Sequence, residues 1–151
     1  MIINLAHKER IIAEEIVQLQ KEAYQVEARL LDFYDIPPLH DTFEMIQDCP
    51  EHFIGYLDQT AIIGVLSYEK NNHELTICRL MVHPRSFRQG IGQKLLYHVE
   101  ALHPEMNVLK VTTGSKNAPA KNLYVKTGFH VTGEIEAAPG VYLTQFEKIL
   151  N

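Results

Sequence analysis

Leu80-Met-Val-His-Pro-Arg-Ser-Phe-Arg-Gln-Gly-Ile-Gly92 runs from an apolar triplet through a proline break into a glycine pair. Leu80, Met81 and Val82 are continuously apolar, as the buried end of a strand is, and Pro84 closes that strand. From Gly90 onward Ile91, Leu95, Val99 and Leu102 fall on one face, which predicts a helix over Gly90–His103. The first turn of a helix carries backbone N–H groups without intrahelical acceptors and the positive end of the dipole, so an anion is favoured there. Gly90 and Gly92 remove the Cβ atoms that would hold a phosphate off those amides, and Arg85 and Arg88 add charge that a guanidinium offers as a fork. A dinucleotide fingerprint GxGxxG needs a small third residue where Leu95 stands, and a Walker A loop needs GK[ST] where Gln93-Lys94-Leu95 stands. What remains is R/Q-x-x-G-x-G/A, with Phe87 in its first position.

Upstream, Glu74–His83 reads as a strand in which Leu75 and Ile77 alternate with polar neighbours until the pattern slips by one residue around Arg79, the signature of a β-bulge. His52–Asp58 and Ala61–Lys70 are β-rich, joined at Asp58-Gln59-Thr60, and Asn71-Asn72 makes a second turn, so the three strands form an antiparallel meander. Ile2–Leu5 reads as an edge strand. Ile12, Ile16, Leu19, Ala23, Val26 and Leu30 then predict a long amphipathic helix that ends before Asp35-Ile36-Pro37-Pro38. Asp41-Thr42 caps a short helix through Cys49, stopped by Pro50. Downstream, Val108–Thr113 is a buried strand and Asn117–Thr127 a short helix closed by Gly128. Phe129–Ala137 and Val141–Leu150 make a hairpin across Pro139-Gly140. The reading is α/β (α+β): one mixed, mostly antiparallel sheet of seven strands flanked by helices, in a single domain over residues 1–151.

Composition narrows the function classes. Of 151 residues, 46% are hydrophobic and 22% charged, which is globular and not disordered. No apolar run approaches the roughly 20 residues of a membrane span, and no signal peptide is visible at Met1, so the cytosol is the expected compartment. Cys49 and Cys78 lack CxxC spacing and the eight histidines lack HxH or HExxH spacing, so neither a disulfide framework nor a metal site is expected. Cys78 reads as a small buried core residue and His83 as solvent-facing. Residues 1–75 hold 14 acidic against 5 basic side chains, a net −9, and residues 76–151 hold 5 against 9, a net +4. The basic half suits an anionic ligand and the acidic half a cationic one, while the absence of a basic run argues against nucleic acid as a partner.

A second segment, Asn117-Ala-Pro-Ala-Lys-Asn-Leu-Tyr-Val-Lys-Thr-Gly-Phe129, follows the first after a long helix and a buried strand. Together the two resemble the GNAT superfamily of N-acetyltransferases. The stretch from Leu80 to Gly92 looks like that family's acetyl-CoA loop, and Asn117, Ala120, Leu123, Tyr124, Gly128 and Phe129 match its second motif. The resemblance implies acetyl-CoA as co-substrate and direct transfer to a primary amine within a ternary complex. It implies that the backbone of Arg88, Gln89, Gly90, Ile91, Gly92 and Gln93 holds the pyrophosphate, and that Met81 and Val82 pair with the pantetheine arm. It further implies that Asn117 contacts the cofactor and that Tyr124 is the general acid at sulfur. Phe87 departs from the family's usual Arg or Gln, leaving charge to Arg85 or Arg88.

The general base is the least determined element. The family's Glu on the strand before the loop corresponds to Thr76 here, which leaves Glu74 as the candidate, with Glu27 and Asp35 as other options. Phe33-Tyr34-Asp35-Ile36-Pro37-Pro38-Leu39-His40-Asp41 sits where the family varies its acceptor pocket. With the acidic first half it points to a cationic acceptor: a small amine, or a lysine or N-terminal amine of a peptide. The closing hairpin offers an edge for a homodimer, and no membrane partner is expected. Phe87 and the missing glutamate favour one alternative, a non-catalytic acyl-CoA-binding or regulatory domain of the same fold.

Overall fold

The meander Phe53–Met81 carries the two-faced pattern that organises the molecule. Phe53, Val65 and Met81 turn to one face of the sheet with Ala13, Ile16, Leu19 and Ile46, and Ile54, Leu66, Leu75 and Ile77 turn to the other with Leu95, Val99, Tyr124 and Phe146. The computed structural model describes residues 1–31 and 37–150. Its strands are β1 (Ile2–Asn4), β2 (His52–Asp58), β3 (Ala61–Asn71), β4 (Glu74–Val82), β5 (Val108–Gly114), β6 (His130–Ala138) and β7 (Val141–Ile149). They form one sheet of order β1-β2-β3-β4-β5-β7-β6. Helices α1 (Arg10–Leu31) and α2 (Phe43–Asp48) cover the first face, and α3 (Ile91–Leu102) and α4 (Ala118–Lys126) the second. Among the described residues no helix is long and apolar enough to cross a membrane.

Capping chemistry sets the helix ends. Thr42 accepts from the Met45 N–H at 3.3 Å to start α2. Asn117 accepts from the Ala120 N–H at 3.2 Å to start α4, and Gly128 ends it at φ 103°, a left-handed position that favours glycine. The family-variable stretch from Phe33 to Ile36, including the base option Asp35, lies outside the described residues.

Two irregularities in β4 position the site. Ser67 pairs with Arg79 but Tyr68 pairs with Ile77, so Cys78 is the extra residue of a bulge at the expected place. The bulge reverses the alternation: Leu75 and Ile77 face α3, and after it Leu80 and Val82 do, while Met81 turns toward α1. Cys78 is exposed, and its expected burial is corrected: it alternates with Leu75 and Ile77 and so continues the outward series of Glu74 and Thr76. The second irregularity is the parallel pairing of β4 with β5, which extends only from Glu74–Thr76 to Val108–Lys110. Beyond it the strands part, and the opening between them is where the cavities lie.

Arg79 is anchored beside the bulge. Its guanidinium meets Glu51 at 2.6 Å and Asp41 at 3.1 Å, all three side chains being at most 14% exposed. Ser67 donates to Glu51 at 2.6 Å and Gln20 to Asp41 at 2.8 Å, tying α1 and β3 into the cluster. Removing the cation alone strands two carboxylates in a poorly solvated site, which typically costs about 3–5 kcal/mol. Arg79→Met is expected to lower the melting temperature by roughly 6–20 °C. Thermal denaturation checks this, and a drop of under 2 °C would mean the cluster is solvated.

Candidate active site

A cavity of about 690 Å³ opens at the parting of β4 and β5. Its walls are Tyr24 and Glu27 of α1, Leu80–Val82 of β4, the loop and first turn of α3, and one side of α4. A second cavity of about 300 Å³ is walled by Ile77–Leu80 of β4, Val111–Gly114 of β5, and Ala137, Val141 and Leu143 of the closing hairpin. Both are lined by Tyr24, Glu27, Leu80, Asn117, Ala120 and Tyr124, so these residues mark where the two spaces meet.

The large cavity contains the start of α3. Gly90 is its N-cap at φ 77°, with no side-chain cap, and the first helical bond runs from the Lys94 N–H to the Gly90 carbonyl. The N–H groups of Ile91, Gly92 and Gln93 precede that bond and so have no intrahelical acceptor. A Cβ added at Gly90 would meet no protein atom within 4 Å, so that space is open to a ligand. Arg88 also has positive φ, 66°, and alternating left-handed residues turn successive N–H groups toward one concavity. Gly92 serves packing: a Cβ there would stand 3.0 Å from Leu123 of α4.

At the junction Glu27 reaches from α1 to the β5–α4 connection. Its carboxyl faces the Asn117 side chain, the Gly114 backbone and the Thr113 side chain, whose polarity favours the ionised form. Burial nonetheless raises its pKa above the ordinary carboxylate value, these neighbours only partly offsetting desolvation. Tyr24, one turn earlier, lines both cavities together with Leu80. Burial raises both Tyr24 and Tyr124, and Glu27 pushes each in the same direction, so both phenols stay protonated at neutral pH. The Tyr124 ring is held edge-on to Phe129 and tilted against Phe146, each with centroids 5.5 Å away, and its hydroxyl makes no hydrogen bond among the described residues.

Of the residues singled out from sequence, Met81, Val82, Arg88, Gly90, Ile91, Gly92, Gln93, Asn117 and Tyr124 line the large cavity. Gln89 and Glu74 line neither. Glu74 lies at the closed end of the β4–β5 opening, beside Val108 and ion-paired with Lys110 at 3.1 Å. Asn117 caps α4 with its side-chain oxygen and lies beside Glu27 at the junction of the cavities. His83 is not solvent-facing: its Nδ1 accepts from the Arg85 N–H at 3.1 Å and its Nε2 meets Glu22 at 2.9 Å. Phe87, 42% exposed, contributes to the cavity wall. Partial desolvation, with Glu51 and Glu69 nearby, pushes the Cys78 thiol up to about 12, which leaves little thiolate for nucleophilic attack at neutral pH. Glu51, Glu69 and Cys78 bring their ligand atoms within 4.8 Å of one another, but Arg79 at 2.6 Å already supplies Glu51 with positive charge. Tyr24 escaped the sequence reading. Its spacing of three from Glu27 on one helix was the only available signal.

Comparison with known proteins places this geometry. Residues 13–129 match the profile described as the acetyltransferase (GNAT) family. The chain is similar to UPF0157 protein YqkA of Bacillus subtilis (strain 168), 44% identical over 146 residues, covering 97% of this chain and 43% of that protein. It is also similar to the peptidyl-lysine N-acetyltransferase YiaC of Escherichia coli (strain K12), 36% identical over 55 residues, 36% of each protein. The chain thus spans less than half the length of the curated relatives it matches. Among solved structures, the PaiA N-acetyltransferase of Thermoplasma acidophilum in complex with coenzyme A shares the fold with TM-score 0.80 at 16% identity, covering 99% of this chain and 98% of that one. The matched span runs from α1 through α4 and holds every described wall of both cavities except Ala137, Val141 and Leu143, and the chain belongs to the acetyltransferase (GNAT) family.

Proposed function

We propose that this domain transfers an acetyl group from acetyl-CoA to a primary amine, directly, in a ternary complex. The observation that carries the reading is the meeting of two cavities at one carboxylate and one phenol, Glu27 and Tyr124. Acetyl-CoA occupies the larger cavity. Its pyrophosphate lies against the N–H groups of Ile91, Gly92 and Gln93 at the start of α3, with Arg88 adjacent. Its pantetheine arm runs along Met81 and Val82, where β4 has no β5 partner. The coenzyme A in the Thermoplasma protein of the same fold supports this assignment.

The acceptor amine enters from the smaller cavity. An alkylammonium has a pKa near about 10.4 and must lose a proton before it can attack. Glu27, ionised and facing the junction, takes that proton, a role Glu74 is too remote to fill. Attack forms the C–N bond and moves the carbonyl π pair to oxygen. Collapse breaks the C–S bond and leaves the pair on sulfur, where Tyr124 delivers its proton. Nitrogen sheds two protons in all: one leaves through Glu27, and the other balances the proton given by Tyr124. A thiolate leaving into this enclosed space is desolvated like the phenol, which keeps the two acidities comparable. The acetylation of peptidyl lysine by YiaC supports an amine acceptor, as does the acidic first half of this chain.

The test is thermal denaturation with acetyl-CoA, CoA, NADH and ATP, followed by thiol release from acetyl-CoA with a panel of amines. At a hundred times Kd a ligand adds about 2.7 kcal/mol, a rise of roughly 5–10 °C for a domain of this size. A rise confined to CoA and acetyl-CoA is expected. No rise at millimolar acetyl-CoA would sink the reading. A rise without turnover on any amine would favour a non-catalytic acyl-CoA-binding domain, the alternative for which Phe87 in the loop argues.

A further inference from the structure

We infer that the smaller cavity selects an amine carried at the end of an unbranched aliphatic arm, as in the lysine side chain of a polypeptide whose backbone stays outside, and that Leu143 is a wall residue that sets this preference. The inference rests on the acetyltransferase reading above, which leaves the body of the amine open.

The argument starts from the walls. At its inner end the smaller cavity meets the larger one beside Glu27 and Tyr124. Its lining residues Cys78, Thr112 and Ala137 are exposed, so its mouth opens at the surface. Other walls are Ile77 of β4, Val111 of β5, and Val141 and Leu143 of β7, all apolar. Arg79 is the one charged wall besides Glu27 among the described residues, and its guanidinium is already met by Glu51 at 2.6 Å and Asp41 at 3.1 Å. That leaves Glu27 to meet a cation. Register puts Leu143 in this wall: it pairs with Gly114 of β5, which presents no side chain beside it. Leu143 lines the smaller cavity and not the larger.

Such a space discriminates among amines by what is attached to them. An amino sugar carries hydroxyls on the carbons around its nitrogen, and against Val111, Val141 and Leu143 they would lose water without gaining a partner. The α-amine of a chain terminus has its first peptide group one carbon away, so that group would be drawn into the same apolar walls. A lysine ammonium stands on a four-carbon stem, long enough to carry the charge inward while methylenes cover the walls and the backbone remains at the mouth, in water. Each methylene laid against these walls adds to binding, so reactivity should climb with arm length until the cavity is filled.

The test is the initial rate of thiol release from saturating acetyl-CoA with five acceptors: a blocked peptide containing one lysine, the same peptide with ornithine, a peptide whose only amine is its N-terminus, n-butylamine and glucosamine. The lysine peptide is expected to exceed the ornithine peptide in kcat/KM by about fourfold, the worth of one buried methylene. It is expected to exceed the N-terminal amine and glucosamine by about 10²-fold or more. Leu143→Gln keeps the length of the wall residue and makes it polar, so the lysine-to-ornithine ratio is expected to fall toward one while the thermal shift given by CoA is kept, showing a folded protein with its cofactor cavity intact. Equal rates with lysine and ornithine in wild type would overturn the inference, as would glucosamine or the N-terminal amine within threefold of lysine. An unchanged ratio in Leu143→Gln would overturn the role of that residue. n-Butylamine has the same arm without a backbone: a lysine peptide that matches or exceeds it supports a polypeptide acceptor, and one more than threefold poorer would overturn that source. Failure of wild type to respond to CoA, or to turn over any of the five, would instead remove the acetyltransferase reading itself.

Discussion

Glu27→Gln is expected to lower kcat by about 10²–10⁴-fold, the range associated with a positioned general base. The amide keeps the size of the carboxylate and a polar face toward Asn117, Gly114 and Thr113, so the wall between the cavities stays in place. It cannot take a proton from an ammonium. With Glu27 as the proposed base, the wild-type kcat is expected to rise with pH as Glu27 ionises. Because burial raises that pKa, the acid limb lies above the ordinary carboxylate range, and in Glu27→Gln this limb disappears. Stability moves the other way. A carboxyl whose pKa is higher folded than unfolded holds its proton more tightly in the native state, so it contributes stability at low pH that is lost as pH rises through the folded value. Gln mimics the protonated form and removes that loss, so the melting temperature at neutral pH is expected to hold or rise while turnover falls. Paired pH–rate profiles and thermal melts check both halves. A variant with undiminished kcat, or one whose acid limb is unchanged, would transfer the role of base elsewhere.

That assignment marks the limit of what the chain discloses in one dimension. The glycine pair, the proline break and the slip around Arg79 are local signals, each within one element or one turn, and the structure holds them where they were read. Gly128 closes α4 for the same kind of reason, a backbone geometry that favours one residue type. Tertiary facts leave no local trace. Nothing in Phe129–Leu150 says that β7, and not β6, lies beside β5. Nothing in Glu74–Val82 says that pairing with β5 stops at Thr76, and it is this stop that puts Glu74 at the closed end and Leu80 at the open one. Glu27 becomes a wall of the site only because α1 crosses the sheet to the β5–α4 connection, a distance of some 90 residues in sequence from Asn117. Cys78 shows the local failure: the alternation that buries Leu75 and Ile77 already turns it outward, and its apolar character pointed the other way.

Replacing Gly90 by Asp and by Asn separates the effect of charge on binding from the effect of a side chain on folding. Asp tolerates the left-handed region better than most residues, and its side chain would enter space that contains no protein atom within 4 Å. At the N-cap of α3 a carboxylate favours the helix, by about 0.3–1 kcal/mol through the dipole alone. The left-handed φ of 77° costs a residue with a Cβ about 1–2 kcal/mol, which the dipole only partly offsets, so the unliganded protein is expected to fold and to melt a few degrees below wild type. The same carboxylate would stand before the N–H groups of Ile91, Gly92 and Gln93, where the pyrophosphate is proposed to bind. Two like charges about 4 Å apart at an effective dielectric of about 20 repel by roughly 4 kcal/mol, close to a thousandfold in Kd. Gly90→Asp is thus expected to abolish the thermal shift given by acetyl-CoA, while Gly90→Asn, of equal size and uncharged, loses a smaller part of it. Because Gly90→Asn carries the same backbone strain, misfolding does not account for a loss confined to Gly90→Asp. A full shift in Gly90→Asp would place the cofactor's phosphates away from α3, and the cavity would then have to be assigned to another ligand.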